Sequence, residues 1–356
     1  MSTEISRKKT RQVFVGNLPI GAGAPISVQS MTNTPTDDIP STVSQIKRLE
    51  SAGCEIIRVA VPDTDAAIAI REIKKQITIP LIADIHFDFK LAVAAIASGA
   101  DAIRINPGNI GGKMGIQQIV DAANDHGTSI RIGVNSGSLE KKLIEKYQGP
   151  APEALVESAI NHVDLLGSFD FNRIKVSLKS SDVLKTITAY RLFSTKSDIP
   201  LHVGVTEAGG LYPGIVKSAV GIGTLLMEGI GDTIRVSLTR DPVEEVRVGY
   251  EILKSLGIRR RGPEIISCPT CGRCEIDLFS IAEEVERALL TMSFPVKVAI
   301  MGCVVNGPGE AREADVGIAG GRDMGILFKK GKVVKKLPQS DLVEALLAAI
   351  TELEQQ

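Results

Sequence analysis

The sequence predicts an α/β protein made of a (β/α)8 TIM barrel followed by a smaller α+β domain. A strand-then-helix unit recurs eight times between residues 25 and 256, and polar or glycine-rich turns follow nearly every strand. After the basic segment Gly257–Pro263 this repeat stops and a cysteine-rich stretch begins. Eight strands that alternate with helices favour parallel pairing and match a closed barrel. The change of pattern marks a second domain.

Composition limits the classes of protein that this chain can belong to. It has 356 residues, 44% of them hydrophobic, and 41 Lys and Arg stand against 42 Asp and Glu. This balance argues against a general nucleic-acid binder, although a local basic pocket remains compatible with it. No signal-peptide core follows the charged N-terminus, and no apolar stretch is long enough for a membrane helix. We expect a cytoplasmic protein without nucleic-acid or membrane partners.

The eight predicted strands are short and rich in Ile and Val. Their bounds are Pro25–Met31, Cys54–Val61, Pro80–Ile85, Ala102–Pro107, Ser129–Asn135, Arg173–Lys179, Leu201–Glu207 and Asp232–Thr239. Amphipathic stretches lie between them, such as Pro242–Leu256 with its apolar stripe. An open doubly wound sheet is the alternative, but it places ligand chemistry at one switch point. Because polar residues end almost every strand, we expect a site built from all eight strand ends.

The second domain is predicted from a different series of elements. They are a helix at about Asp277–Leu290, a strand at Pro295–Gly302, a strand at Asp315–Ala319, a hairpin over residues 325–337 and a final helix from about Ser340. The predicted bounds are therefore residues 1–258 for the barrel and 265–356 for this domain.

Cationic side chains recur on one face of the predicted strands, because side chains alternate between the two faces. Five strands share a phrase: IIRVAV, AIRINPG, SIRIGVN, RIKVSLK and TIRVSLT. The residues that share a face are Arg104 with Asn106, Arg131 with Gly133 and Asn135, Lys175 with Ser177 and Lys179, Arg235 with Ser237 and Thr239, Asp84 with His86, and His202 with Gly204 and Thr206. The inward face is thus predicted to be polar and cationic, and burying several like charges without an anion is costly.

Pairing with protein acids is the alternative explanation for each of these cations, with Asp84 and Glu207 as the nearest candidates. For the whole set the sequence offers too few inward carboxylates. The set to be matched is Arg58, Arg104, Arg131, Lys179 and Arg235. We infer a small substrate that carries more than one phosphate, since guanidinium forks and lysine charges suit phosphate oxygens.

The cysteines predict a metal centre. Cys268, Cys271 and Cys274 form a CxxCxxC run, and Cys303 begins the segment CVVNGPGE. Such a set suits tetrahedral zinc or an iron–sulfur cluster, and the local run favours [4Fe–4S] with Cys274 as a candidate ligand. Cys54 stands alone at the start of a strand, where a small buried hydrophobe is expected.

A loop acid follows the last cysteine. Gly307, Pro308 and Gly309 would bend the chain and bring Glu310 back toward the metal. A carboxylate is a weak, exchangeable ligand for cluster iron, so a substrate oxygen would displace it readily. Taken alone, Glu310 is better explained as a solvated loop acid.

On these motifs the chain resembles the family of 4-hydroxy-3-methylbut-2-enyl diphosphate synthases, and the resemblance covers nearly the whole chain. The most specific motifs are SCPTC at 267–271 and GCVVNGPGE at 302–310. RINPGNIG at 104–111, RIGVNSGS at 131–138, HVGVTEAGG at 202–210 and GIGDTIRVSLT at 229–239 support them. The resemblance implies a barrel joined to a [4Fe–4S] domain of the sulfite-reductase type.

The resemblance also implies an activity and partners. The activity is reductive dehydration and ring opening of 2-C-methyl-D-erythritol 2,4-cyclodiphosphate in isoprenoid biosynthesis. Two electrons would come from a ferredoxin or a flavodoxin. A homodimer is expected, because the short linker favours a cluster that closes the partner subunit's barrel.

Residue roles follow from the resemblance position by position. Iron ligands are Cys268, Cys271, Cys303 and Glu310. Substrate-binding residues are Arg58, Arg104, Arg131, Lys179 and Ser237, with Asn106 and Asn135 assisting, and we add Thr206 from its inward position. Catalytic residues are Glu207 as a proton donor, Asn306 beside the cluster, and Glu310. The position of Cys274 is not cysteine in some relatives, which argues against Cys274 as the fourth ligand.

Two rival functions remain open from the sequence. One is a zinc-stabilised, phosphate-binding barrel that acts as a lyase or aldolase, and it predicts a colourless zinc protein. The other is an iron–sulfur sensor that binds a diphosphate without converting it. Metal content separates the first rival, and turnover of the cyclic diphosphate separates the second.

Overall fold

The computed structural model describes residues 5–290, 292–303, 311–322 and 324–355. Asn306 and Glu310, two of the predicted site residues, lie outside these ranges. The chain divides into two compact units, Met1–Arg259 and Arg260–Gln356, which are described separately. Among the described residues, no helix has both the length and the apolar composition that crossing a membrane requires.

The first unit alternates strands and helices along the chain. Its strands are β1 (Val13–Val15), β2 (Leu18–Ile20), β3 (Ser27–Met31), β4 (Ile56–Ala60), β5 (Leu81–Asp84), β6 (Ala102–Ile105), β7 (Ser129–Asn135), β8 (Ile174–Lys179), β9 (His202–Val203) and β10 (Thr233–Ile234). Its α-helices are α1 (Ile39–Ala52), α2 (Thr64–Lys74), α3 (Phe89–Ala97), α4 (Gly112–His126), α5 (Lys141–Tyr147), α6 (Pro152–Gly167), α7 (Val183–Lys196), α8 (Leu211–Met227) and α9 (Pro242–Ser255).

Strands β3 to β10 form one parallel sheet in the order β8-β7-β6-β5-β4-β3-β10-β9. The two strands at the ends of this order, β8 and β9, meet through a bridge between Val176 and Leu201. The sheet therefore curls into a barrel, and the predicted barrel is confirmed over the open doubly wound sheet.

The predictions for β9 and β10, Leu201–Glu207 and Asp232–Thr239, are wrong in length. The Tyr190 hydroxyl stands between β8 and β9, where it accepts the Leu178 N–H at 3.1 Å and donates to the His202 carbonyl at 2.6 Å. In β10, the Leu238 N–H turns to the carboxylate of Glu245 at 3.0 Å. Side chains thus replace ladder hydrogen bonds at both strands. The other six barrel strands lie within their predicted bounds.

Alternation along the strands separates two apolar clusters in the barrel. Outward residues such as Ile57, Ile103 and Val176 pack against the helices in the main core. A smaller cluster consists of the inward residues Ile56, Ile82 and Ala102 together with Val15 and Ile20. The last two belong to β1 and β2, an antiparallel hairpin that the sequence did not predict. This hairpin contacts the first residues of the barrel strands and leaves the interior beyond them to polar side chains.

Aspartate side chains fix the start of several helices, since an N-cap carboxylate accepts a backbone N–H that the helix leaves free. The capping residues are Asp38 for α1, Asp63 for α2, Asp88 for α3, Asp182 for α7 and Asp241 for α9. These caps lie in the loops that follow barrel strands, so they also fix the loops that frame the site.

The second unit is a five-stranded sheet with two flanking helices among the described residues. Its elements are β11 (Glu264–Ser267), α10 (Leu278–Leu289), β12 (Lys297–Met301), β13 (Val316–Ala319), β14 (Met324–Lys329), β15 (Lys332–Pro338) and α11 (Leu342–Glu354). The strand order is β11-β12-β13-β14-β15, parallel up to β13 and antiparallel after it. The predicted helices, strands and hairpin are present. Strand β11 was missed, because this short edge strand is only half-buried and carries little apolar pattern.

Candidate functional site

Charged side chains of adjacent strands meet inside the barrel. Strand register pairs Asp84 with Arg104, Arg104 with Arg131, and Arg131 with Lys175. Laterally paired residues of a sheet point to the same face. The chain therefore brings these charges together because each strand carries them at the same phase of its alternation.

Asp84 forms ion pairs with two of the arginines that are predicted to bind the substrate. Its carboxylate lies 3.3 Å from Nη1 of Arg104 and 3.8 Å from Nε of Arg58. Burial alone would raise the pKa of Asp84, but the Arg58 charge, a hydrogen bond with His86 and the Arg104 charge hold it well below its usual range. Burial lowers the pKa of Arg58 to about 10 despite this carboxylate.

A second acid, Glu245 on α9, neutralises Arg235. Its Oε2 lies 3.4 Å from Nε of Arg235 and accepts a hydrogen bond from the Ser30 hydroxyl at 3.3 Å. The expectation of too few acids is therefore wrong for Arg58, Arg104 and Arg235. Glu245 was missed although a sign was present, since this acid lies on the buried face of an amphipathic helix.

Two buried cations of the set, Arg131 and Lys179, and the neighbouring Lys175 have no carboxylate partner within the described ranges. Nε and Nη1 of Arg131 are buried without any hydrogen-bond partner there. Burial, then Arg58 and Arg104, lower the pKa of Arg131 well below its usual value. A guanidinium keeps its proton, so an anion is the group that relieves this arrangement.

Burial and nearby positive charge also disfavour the charged forms of the two lysines. Burial and the charge of Arg131 lower the pKa of Lys175 to about 7. Burial and the same arginine lower the pKa of Lys179 well below its usual value. The barrel interior therefore holds more cationic groups than acids and attracts an anion.

Two inward glycines provide the space for these cations. A Cβ at Gly133 would lie 2.2 Å from Nε of Arg104 and would displace this guanidinium. A Cβ at Gly204 would lie 2.3 Å from the Arg235 carbonyl oxygen and 2.8 Å from Nζ of Lys179. This explains why glycine stands inside β7 and directly after β9.

The two predicted asparagines hold the loops that follow β6 and β7, and one of them, Asn135, also contacts a cation. The Asn106 side chain accepts the Gly108 N–H at 3.2 Å and donates to the Ser138 carbonyl at 3.4 Å. In the amide orientation that satisfies both of its groups, Asn135 accepts from Nη2 of Arg104 at 3.1 Å. These amides hold the loops that follow β6 and β7.

Three predicted residues lie beyond the strands that carry the cations. Thr206 and Ser237 are half-buried in the segments that follow β9 and β10. Glu207 is exposed and has a φ of 51°, in the left-handed region that non-glycine residues rarely adopt. Such strain at a polar residue is typical of functional sites. The roles of these three residues stay predictions.

The cysteines of the second unit lie at one edge of its sheet. Cys268 follows β11 and Cys303 follows β12, and the parallel register pairs Ser267 with Ile300. The Gly302 N–H, one residue before Cys303, donates to Sγ of Cys268 at 3.2 Å. The loops that carry the two thiols are therefore in direct contact.

These thiols form a donor set that fits an iron–sulfur cluster, since thiolates are its usual ligands. Cys271 is exposed, and a hydrogen bond from the Arg273 backbone lowers its pKa toward the ligating thiolate. Among the described residues, no three His, Cys, Asp or Glu side chains are close enough to hold a metal ion. Cys54, by contrast, is buried as expected, and burial raises its pKa to about 12.

Fold and site together define a (β/α)8-barrel protein with an anion-attracting interior and a separate thiol-bearing unit. The chain belongs to the GcpE family. Residues 10–250 match the GcpE TIM-barrel domain, and residues 264–352 match the GcpE protein C-terminal domain. The resemblance drawn from the motifs is thereby confirmed.

Relatives extend this match over nearly the full chain. A protein of Lawsonia intracellularis is 61% identical over 335 residues, which cover 94% of this chain and 93% of that protein. A protein of Geobacter sulfurreducens is 56% identical over 347 residues, 98% of each chain. Both are named 4-hydroxy-3-methylbut-2-en-1-yl diphosphate synthase (flavodoxin).

Solved structures support the barrel fold alone. Dihydropteroate synthase from Stenotrophomonas maltophilia has a TM-score of 0.51 at 11% identity, over 68% of this chain and 98% of that one. Type I 3-dehydroquinate dehydratase from Clostridium difficile has a TM-score of 0.50 at 15% identity, with the same coverage.

Proposed function

We propose that this chain converts 2-C-methyl-D-erythritol 2,4-cyclodiphosphate into 4-hydroxy-3-methylbut-2-en-1-yl diphosphate, with flavodoxin as the electron donor. This is the product for which its relatives, 56% and 61% identical, are named. In the reaction two electrons enter, a ring C–O bond opens and a hydroxyl leaves as water. The observation that carries the proposal is that no acid among the described residues pairs with the buried cations Arg131, Lys175 and Lys179.

The diphosphate binds to the cations of the barrel. Arg131 and Lys179 supply charge that no protein acid cancels within the described ranges, whereas Arg58 and Arg104 are held in place by Asp84. The remaining members of the proposed binding set are Asn106, Asn135, Thr206 and Ser237. Because phosphate oxygens accept several donors at once, this arrangement suits two linked phosphate groups better than one.

Glu207 is the proposed proton donor. It is exposed in the segment that follows β9, and its left-handed backbone fixes where the side chain begins. A carboxyl group within reach of the leaving hydroxyl protonates it as the C–O bond breaks. The cations orient the substrate for this step and keep the diphosphate away from water.

The proposed cofactor is a [4Fe–4S] cluster in a sulfite-reductase type domain. Cys268, Cys271 and Cys303 would hold it, together with Glu310, which lies outside the described residues, as does its proposed neighbour Asn306. A bound cluster would supply electrons one at a time. Free thiols require reducing conditions, which supports our proposal of a cytoplasmic location.

A homodimer is the proposed assembly, and an apolar stripe on α8 supports it. Tyr212, Val216, Val220 and Met227 are each between 50% and 81% exposed on this helix. Residues spaced by about four positions share a helix face, and contiguous exposed apolar surface marks an interaction site. Sedimentation of the wild type and of Val216→Glu tests this proposal, because a charge in the stripe should shift the mass to that of a monomer.

The activity is tested with protein purified and reconstituted without oxygen. Reduced flavodoxin and the cyclic diphosphate should yield the open allylic diphosphate, and iron and sulfide should be present in cluster amounts. Stoichiometric zinc instead of iron would support the lyase alternative. Tight ligand binding without product would support the sensor.

A further inference from the structure

The barrel has a seam between β8 and β9. These strands share the bridge between Val176 and Leu201, but farther along the hydroxyl of Tyr190 separates their backbones. Tyr190 is fully buried on α7, so this wedge is part of the packed core. The seam places Lys179 of β8 beside His202 of β9.

Hydrogen-bond roles at this seam fix the state of His202. Its Nε2 lies 3.4 Å from Nζ of Lys179, and its Nδ1 lies 2.7 Å from Oγ1 of Thr233. In its charged form Lys179 is a donor only, so in that form Nε2 accepts and Nδ1 carries the proton that Thr233 accepts. Burial, then Lys179 and Arg131, lower the pKa of His202 well below its usual value, which keeps the ring neutral.

The position of the ammonium is bounded on a second side by Gly204. A Cβ there would lie 2.3 Å from the Arg235 carbonyl oxygen and 2.8 Å from Nζ, so the adjacent backbone requires glycine here, and glycine also leaves room for the ammonium. His202 and Gly204 are two residues apart in extended chain, so both face the barrel interior. Strand β9 and the residue directly after it thus provide an acceptor for the Lys179 ammonium and room to receive it.

We propose that His202 is a positioning residue for anion binding, a neutral acceptor that holds the Lys179 ammonium in the barrel interior. The inference rests on the proposed function only for the identity of the anion. Asp84 and Glu245 position arginines too, but each cancels part of the charge that it orients. A neutral imidazole orients Lys179 and leaves its full charge to a diphosphate.

A double-mutant cycle tests this role, with inorganic pyrophosphate as the probe and calorimetric titration of the full-length, cluster-loaded protein. His202→Leu should weaken binding about tenfold, because a hydrogen bond to a charged group contributes on that scale. His202→Gln keeps an acceptor near the position of Nε2 and should retain most of the affinity. In a Lys179→Met background, His202→Leu should have no further effect, since the group that it positions is gone.

Equal losses in the two backgrounds, or no loss in Lys179→Met alone, would overturn the proposal. Thermal unfolding of each variant separates loss of folding from loss of positioning. A second measurement uses the wild type: 15N NMR of its four histidines reports the tautomer of each ring. The His202 signals are assigned as those that disappear in His202→Gln. A proton on Nδ1 and a bare Nε2 are expected at pH 6, and the opposite tautomer or a charged ring would overturn the proposal.

The cycle also separates this inference from the proposed activity. A wild type that binds pyrophosphate with the expected coupling but does not convert the cyclic diphosphate would end the proposed function and leave the role of His202 intact. A wild type that turns over while His202 and Lys179 act additively would do the reverse.

Discussion

The barrel interior and the cysteine loops are organised in opposite ways. Barrel cations lie on or directly after strands, and ladders, glycine gaps and two acids hold them. The thiols lie on loops, and among the described residues no three potential ligands converge to hold a metal. A site on strands is formed before its ligand binds, whereas the residues of a site on loops are brought together when the ligand binds.

The energetic consequence also differs between the two regions. The barrel concentrates positive charge that the acids of the described segments do not fully match, and this charge destabilises the free protein until an anion binds. A metal bound by the cysteine thiols would instead add its binding free energy to the stability of the second unit. Substitutions should therefore separate the two regions. Loss of a thiol should prevent electron delivery through the cluster, and loss of a buried cation should weaken anion binding.

The largest effect is expected from Cys303→Ser. The sheet places Cys303 beside Cys268, so its loss removes one of the proposed thiolate ligands. We expect loss of cluster iron and of turnover, while pyrophosphate binding to the barrel stays within about twofold of the wild type, since the binding cations belong to the first unit and keep their own partners there. Iron analysis, visible absorbance and calorimetric titration measure the three outcomes.

Cys274→Ser is the matched control. The resemblance to the family argues against Cys274 as a ligand, since its position is not cysteine in some relatives. Its thiol donates to the Ile276 carbonyl at 3.2 Å, which serine can reproduce. Cluster and activity should persist. Loss of the cluster here would restore the interpretation with four cysteine ligands, and loss of pyrophosphate binding in Cys303→Ser would show that the two regions are coupled.

Strand phase explains how much of the barrel the sequence predicted. A period of two placed Arg104, Arg131 and Lys179 on one face without any knowledge of neighbours, because alternation is a local property. Asp84 and Glu245 show the limit of such reasoning. Which acid reaches which arginine depends on register and helix packing, and these are set by the whole fold.

Glu207→Gln should have the next largest effect. The substitution keeps the size and the left-handed backbone of Glu207 but removes its acidic proton. Turnover should fall by about 10²–10⁴-fold, the usual range for a lost general acid, while cluster content and pyrophosphate affinity stay unchanged. Single-turnover product formation measures the loss.

Glu207→Gly is the companion variant, because glycine adopts a positive φ without strain. It should be inactive but more stable by roughly 1 kcal/mol. A stability gain together with lost activity would show that the strain at this position serves the carboxylate. Full activity in Glu207→Gln would remove Glu207 from the mechanism.

Sequence reasoning stopped at different points in the two regions for physical reasons. Cysteine spacing identified the thiols, but Asn306 and Glu310 lie outside the described residues, and their roles stay predictions. The Tyr190 wedge and the partner of His202 were invisible in the sequence, since each depends on two strands that pair only when the barrel closes. Lys175 was placed on the inward face, yet only the packed structure shows that it is buried and that no acid in the described part of the chain pairs with it.

Lys175 gives the smallest expected effect and the sharpest pH dependence. Its pKa of about 7 in the free protein rises when an anion binds, so binding above pH 7 takes up a proton. Affinity for pyrophosphate should therefore fall as the pH increases from 7 to 9. In Lys175→Met the affinity should be about tenfold lower at pH 7, and proton uptake, measured by titration in buffers of different ionisation enthalpy, should decrease.

The same variant should be more stable than the wild type when no anion is bound. Lowering the pKa of Lys175 from 10.5 to about 7 corresponds to a penalty of roughly 5 kcal/mol for the charged form, which relaxation reduces. The sign follows from proton counting: the penalty is complete below pH 7 and disappears toward pH 10, where the unfolded chain also loses the proton. The Tm advantage of Lys175→Met should thus be largest at pH 6 and shrink with rising pH, whereas Lys335→Met on the exposed strand β15 should show no such trend. A Tm difference that does not change with pH would mean that a negative group already balances the charge of Lys175 in the free barrel. The electrostatic difference between the two regions would then be absent.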